Sequence, residues 1–202
     1  MHAADSVAPQ ASPRVRAEGR AWLYVLAANG GEDLLKVGLT HDPLSRFSAF
    51  HPRWYEAFDL ADSLLVACEQ RGDAQALETA LHRELAEHSC PMPLTIRAAA
   101  GGASEWYRGA YAHARRFVDQ CEAQGHGVER DARSVLAPAM REQAHRLDGL
   151  LRQAHSELMA GWLGDAQRRG LVDLVDGHRF FDPELEARLP RDAWLALQYG
   201  VR

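Results

Sequence analysis

The segment from Trp22 to Pro43 constrains the fold more than any other stretch of the chain. Trp22-Leu23-Tyr24-Val25-Leu26 is an aromatic and aliphatic run that leads into Asn29-Gly30-Gly31. Leu34-Leu35-Lys36-Val37-Gly38-Leu39 is a second run of the same kind. Two strand-like runs around a turn signal predict an antiparallel hairpin with a loop of several residues. Asp42-Pro43 follows at once. An Asp side chain accepts from the first free N–H groups of a helix, and Pro is tolerated at the first helical position. A hairpin that runs straight into a helix predicts an α+β domain on a small antiparallel sheet.

The rest of the chain extends that plan. The first helix carries Leu44, Arg46, Phe47 and Phe50 and stops near Pro52. Residues 58–68 contain a third strand, giving a three-stranded sheet flanked by helices. A longer helix spans about 73–88, with Leu77, Leu81 and Leu85 as one apolar stripe. Residues 89–104 read as irregular. Ser104-Glu105-Trp106-Tyr107 reads as a short strand or a helix entry, and another helix runs from about 109 to 124. Gly125 and Gly127 mark a boundary. The expected organisation is a loose arm over 1–20, a first domain over 21–125 and a helical accessory domain over 128–202. Within the last, Asp176-Gly177 between two apolar runs predicts a β-hairpin over 171–181. Asp182-Pro183 and Pro190 would then start two short helices. Helices, a hairpin and short helices follow the element order of a winged helix.

Composition narrows the function classes. The chain has 202 residues, 47% hydrophobic and 25% charged, which excludes a disordered or collagen-like chain. No apolar run approaches the roughly 20 residues of a membrane helix. The first residues show no basic start before an apolar stretch, so no secretory signal is expected. Cys68, Cys90 and Cys121 are odd in number and widely spaced, which suggests neither a disulfide framework nor a zinc site. A reducing cytoplasm is the expected compartment. The net charge is -5, and residues 21–110 alone hold seven basic and twelve acidic side chains. Coating of nucleic acid through a broad basic face is excluded. Any nucleic-acid affinity must come from a local patch, and Arg115-Arg116 and Arg168-Arg169 are the candidates.

One detail of the charge count stands out. Of the 23 basic residues only Lys36 is a lysine. It lies in the second strand of the hairpin. There the chain resembles the GIY-YIG nuclease superfamily. Trp22-Leu23-Tyr24 stands where that family has Gly-Ile-Tyr, and Lys36-Val37-Gly38-Leu39-Thr40 stands where it has Tyr-Ile-Gly. The first motif lacks its glycine, and the second begins with Lys, as in a phage and bacterial branch of the family. Arg46 follows ten residues after Lys36, as the family's catalytic Arg does. Glu78 matches the family's metal-binding Glu on a later helix. Glu105-Trp106-Tyr107 resembles the element that closes the domain in that branch.

The resemblance implies a metal-dependent endonuclease acting on nucleic acid, with DNA favoured. Tyr24 would be the general base on the attacking water, with Lys36 beside it lowering its pKa. Arg46 would clamp the scissile phosphate through its two-pronged guanidinium. Glu78 would hold one divalent cation, Mg²⁺ or Mn²⁺. Gly38 would permit close approach to the backbone, with Thr40 in support. His82, one turn after Glu78, either assists the metal, orients Glu78 or packs. Glu105 is either a second carboxylate of the site or a structural bond. Arg53 and Trp54 either stack on bases or anchor a loop.

Each of these residues also has a plainer reading when taken alone. Tyr24 suits a packed strand, Lys36 and Arg46 suit a solvated surface, and Glu78 flanks an apolar stripe. The alternative function is a catalytically inactive module that keeps the fold and binds DNA or protein. The accessory domain over 129–202 is a candidate for a protein partner or self-association.

Overall fold

The computed structural model describes residues 20–97 and 103–200. The arm expected over 1–20 lies outside the described residues, Arg20 excepted. The hairpin forms as its sequence predicts: β1 spans Ala21–Ala28 and β2 spans Leu34–Thr40, paired antiparallel. Helix α1 spans Pro43–Phe50, with Pro43 in its first turn and Asp42 as its cap. The Asp42 Oδ1 accepts from the Ser45 N–H at 3.0 Å. A one-turn α2 (Trp54–Ala57) leads into the long β3 (Phe58–Cys68). Helix α3 spans Arg71–Glu84 and ends in a 3₁₀ turn over Ala86–His88.

The sheet is larger than the three strands expected. Three short strands join it: β4 (Ser89–Cys90), β5 (Trp106–Arg108) and β6 (Gly127–Glu129). The order is β4-β5-β2-β1-β3-β6, all antiparallel. Strands of two or three residues are too short to show a periodicity, and neighbouring strands alone define them. Helix α4 (Tyr111–Ala123) precedes β6, and α5 (Ala132–Ala144) follows it.

Both faces of the sheet are covered, which explains why β1 reads as a continuous apolar run rather than an alternation. Leu23, Val25 and Ala27 face a core shared with Leu81 of α3, with Leu85 at that helix's C-terminal cap and with Phe117 and Val118 of α4. Tyr24 and Leu26 face the opposite core, built on Phe47, Phe50, Trp54 and Trp106 and on Leu136 and Met140 of α5. The chain past Gly125–Gly127 therefore still contributes a strand and a helix to the sheet.

A third core lies among α6 (Leu147–Met159), α7 (Asp165–Phe181) and α8 (Arg191–Tyr199). No hairpin exists over 171–181, and the winged-helix order fails with it. Those residues are the second half of α7. Gly177 is not a turn residue: a Cβ there would meet the Tyr55 ring at 3.1 Å, so the glycine lets α7 pack closely on α2. Val175 is buried against Trp194 and Leu197, while Leu171 and Val172 pack at its edge. No helix among the described residues is long and apolar enough to cross a membrane.

Candidate functional site

Tyr24 and Gly38 are direct partners across the β1–β2 ladder, and Leu26 faces Lys36 in the same way. Partners across an antiparallel ladder project from one face. The hydroxyl end of the Tyr24 ring lies against Gly38: a Cβ on that glycine would come within 2.3 Å of the phenol oxygen. Phe47 of α1 meets the ring edge-on at 5.3 Å and fixes its other side. The Arg46 Nε donates to the Tyr24 Oη at 3.2 Å, and its guanidinium lies 4.7 Å over the Phe50 ring. The strand, the glycine and the capped helix thus bring Tyr24 and Arg46 together.

The electrostatics of Tyr24 differ from the expectation. Burial pushes its pKa above the ordinary value, and Arg46 only partly opposes this. The charges of Glu105 and Glu78 push it further up. The net shift is upward, opposite to the lowering expected from Lys36. The ammonium is fully buried, and its donors are spent elsewhere: on the Glu105 Oε2 at 2.7 Å, the Val37 carbonyl at 3.0 Å and the Ser104 carbonyl at 3.1 Å. Lys36 has three N–H groups, and three acceptors take them. Burial lowers the Lys36 pKa, against the upward pull of Glu105. The single lysine is therefore a strut that holds the Ser104–Glu105 segment.

That segment is unusual. Glu105 has φ 69, in the left-handed region that a non-glycine residue rarely occupies. Its carbonyl accepts from the Val37 N–H at 3.1 Å. The strained turn occurs where β5 begins, opposite Lys36. Strain of this kind persists only where surrounding contacts over-determine it. Here it sets the Glu105 carboxylate between Lys36 and α3.

On α3, Glu78 and His82 lie one turn apart and face Glu105. The His82 Nε2 is 3.8 Å from the Glu78 Oε1 and 3.7 Å from the Glu105 Oε1. Burial pushes the Glu78 carboxyl up, but His82, Gln75 and Lys36 together hold it below its usual range. The firm hydrogen bond among these is from the Gln75 Nε2, at 2.6 Å, since 3.8 Å is too long for His82 to donate. The other ring nitrogen of His82 is 2.7 Å from the Tyr107 hydroxyl, and the two rings stack at 5.8 Å. The Nε2 itself is buried with no hydrogen-bond partner. One donor atom from each of Glu78, His82 and Glu105 lies within 4.8 Å of the others. An orphaned imidazole nitrogen between two carboxylates fits a divalent cation.

The remaining expected site residues divide. Thr40 builds the turn into α1, its hydroxyl donating to the Asp42 carbonyl at 3.0 Å. Arg53 and Trp54 are both engaged within the fold. Trp54 is buried and packs against Phe181. Arg53 pairs with Glu56, Asp173 and Asp176 at 2.6, 2.7 and 3.1 Å. Arg168 lies in α7 and donates to the Leu197 carbonyl at 2.8 Å, closing the end of α8. Arg115, Arg116 and Arg169 are exposed. Tyr107 was not foreseen as part of the site. Its signal lay in Glu105-Trp106-Tyr107, where alternation turns Glu105 and Tyr107 away from the buried Trp106. A cavity of about 500 Å³ lined by Arg20, Trp22, Glu69, Asp73 and His126 contains none of the cluster's side chains.

No curated protein and no solved structure matches the chain. A family model does: the T5orf172 domain matches residues 21–122, just over half of the sequence. Tyr24, Lys36, Arg46, Glu78, His82 and Glu105 all fall within the match, as do five of the six strands. The chain belongs to the T5orf172 domain family.

Proposed function

We propose that the chain is a metal-dependent endonuclease of the GIY-YIG type that hydrolyses phosphodiester bonds of nucleic acid, with DNA favoured. The observation that carries this reading is the contact of Arg46 with the Tyr24 hydroxyl beside the Glu78–His82–Glu105 cluster. The T5orf172 family is nuclease-related, which supports it.

The chain's own residues suit the reaction. Arg46 is a permanent cation with further N–H groups beside its Nε, a fork that matches phosphate oxygens. Its attraction for the phosphate strengthens as charge builds in the transition state. Tyr24 accepts from Arg46, so its own proton is directed elsewhere, toward an incoming oxygen. Its pKa is raised first by burial and further by two carboxylates, and neutralising the carboxylate charge would remove that second push and favour the phenolate, a general base. A divalent ion held by Glu78 would polarise the phosphate and stabilise the leaving oxygen.

The test is cleavage of plasmid and of single-stranded DNA by the purified chain with Mg²⁺ or Mn²⁺. Arg46→Ala and Glu78→Ala should each lose about 10²–10³-fold in rate, the scale for removing one preorganised electrostatic contact. Full activity in both variants would end the assignment. Binding of nucleic acid without cleavage under either ion would identify a non-catalytic module instead.

A further inference from the structure

We infer that His82 and Glu105 complete with Glu78 a three-donor metal centre, and that this centre selects a first-row transition ion such as Mn²⁺ over Mg²⁺. The inference rests on the nuclease reading only for what the ion does, not for where it binds.

The ring orientation of His82 carries the first step. Its Nδ1 is taken by the Tyr107 hydroxyl at 2.7 Å, and the stacked ring cannot turn without losing that contact. The Nε2 is thereby aimed between two carboxylates. A protonated Nε2 beside a carboxylate closes to about 2.7–2.9 Å. Here it stands at 3.7 and 3.8 Å from them, donates to neither and is shut off from water. Donors bound at about 2.0–2.2 Å to one ion lie roughly 3.0–4.2 Å apart, from adjacent to opposite positions. The two His82–carboxylate separations fall inside that range.

The second step concerns Glu105. Its two oxygens have different tasks. Oε2 takes the Lys36 ammonium at 2.7 Å, and Oε1 faces His82. Lys36 thus acts as a positioning residue that aims one oxygen of Glu105 at the centre. A metal-ligating His commonly offers its other ring N–H to a neighbouring acceptor, and Tyr107 can take that part. Both first ligands on α3 are a turn apart, a spacing that places two donors on one side of a helix.

The third step is ion choice. Mg²⁺ favours oxygen ligands and keeps much of its water. An imidazole donor shifts preference toward the later divalent ions. A centre of two carboxylates and one imidazole should therefore hold Mn²⁺ more tightly than Mg²⁺.

The experiment is Mn²⁺ titration of the full chain by electron paramagnetic resonance, with pulsed detection of nitrogen coupled to the bound ion. One tight Mn²⁺ is expected, with an imidazole nitrogen signal that Mg²⁺ displaces only at large excess. His82→Ala and, as a more conservative partner, His82→Gln should lose the nitrogen signal and weaken Mn²⁺ binding by about 10–100-fold, with the folded state checked by circular dichroism. Tyr107→Phe should keep the signal and weaken binding by about 10-fold or more, the scale of a lost outer partner. Bound Mn²⁺ without nitrogen coupling, or coupling that survives in both His82 variants, overturns the inference even if DNA is cut. A nitrogen-coupled centre in a chain that cuts nothing upholds it while the nuclease reading falls.

Discussion

Two charged clusters in this molecule have similar ingredients and opposite bookkeeping of donors. At Arg53, the guanidinium meets Glu56 through two prongs, and a third nitrogen reaches Asp173 and Asp176. Tyr55 adds a bond to the Asp173 carbonyl at 3.3 Å. These groups satisfy one another, and what they join is α2 to α7. At Glu78, His82 and Glu105, by contrast, the carboxylates and imidazole approach without closing, and a buried nitrogen is left over. A satisfied cluster is a fastening. A cluster whose supports are satisfied while its centre is not has the form of a receiving site. The supports here are Lys36, Gln75 and Tyr107, each bonded to a member of the cluster at 2.6–2.7 Å.

The comparison breaks first at Gly38. Gly38→Ala places a methyl group where the Tyr24 oxygen and ring now lie, 2.3 and 2.6 Å away. The ring is wedged against Phe47 and cannot retreat cheaply. Overpacking of this kind costs about 1–3 kcal/mol. A tyrosine displaced by about 1 Å from Arg46 should cost cleavage about 10²-fold or more. The variant should thus melt lower yet remain folded at 25 °C while losing nearly all activity. Retained cleavage would show that the Tyr24–Arg46 contact is packing, and the two clusters would then belong to one kind.

Arg53→Ala tests the other side. The side chain is 34% exposed, so its ion pairs are screened and worth about 1 kcal/mol together. That corresponds to roughly 2–4 °C in Tm for a chain of this size. Nucleic-acid binding and cleavage should stay at wild-type levels. A loss of binding beyond about 5-fold with the melting point unchanged would return Arg53 to the role its sequence neighbourhood suggested.

Much of this was legible in the sequence, and the omissions have physical causes. The hairpin, the Asp42–Pro43 helix start and the stripe on α3 depend on local chemistry, so periodicity and capping rules reach them. The strands β4, β5 and β6 depend on partners far along the chain. The Lys36–Glu105 bond spans 69 positions, and no local rule can find it. The single lysine lies beside the Glu78–His82–Glu105 cluster, where its donors go to Glu105 and two carbonyls. Its compact three-donor head fits a pocket of one carboxylate and two carbonyls. At Asp176-Gly177 the turn signal was genuine as chemistry and wrong as structure. The glycine answers to the Tyr55 ring and the aspartate to Arg53, contacts that override a local preference.

The same α7 that binds Arg53 supplies the last and smallest test. His178 is buried at the end of the helix, three residues past Val175. Burial lowers its pKa below the usual histidine value, against a hydrogen bond to the Met140 carbonyl. The folded chain therefore keeps this ring neutral at a pH where the unfolded chain has begun to protonate it. Stability from this group is complete above the unfolded value, near about 6.5. It declines as the pH falls from there toward the folded value, by at most about 1.4 kcal/mol per pH unit for one proton. His178→Gln removes the titration and leaves a side chain able to reach the same carbonyl. Thermal melts between pH 7.5 and 5 should fall less steeply for the variant than for the wild type, with the two curves closest in slope at the alkaline end. Parallel curves throughout would mean that His178 protonates in place, and that the contact between α5 and α7 opens to water more readily than its packing indicates.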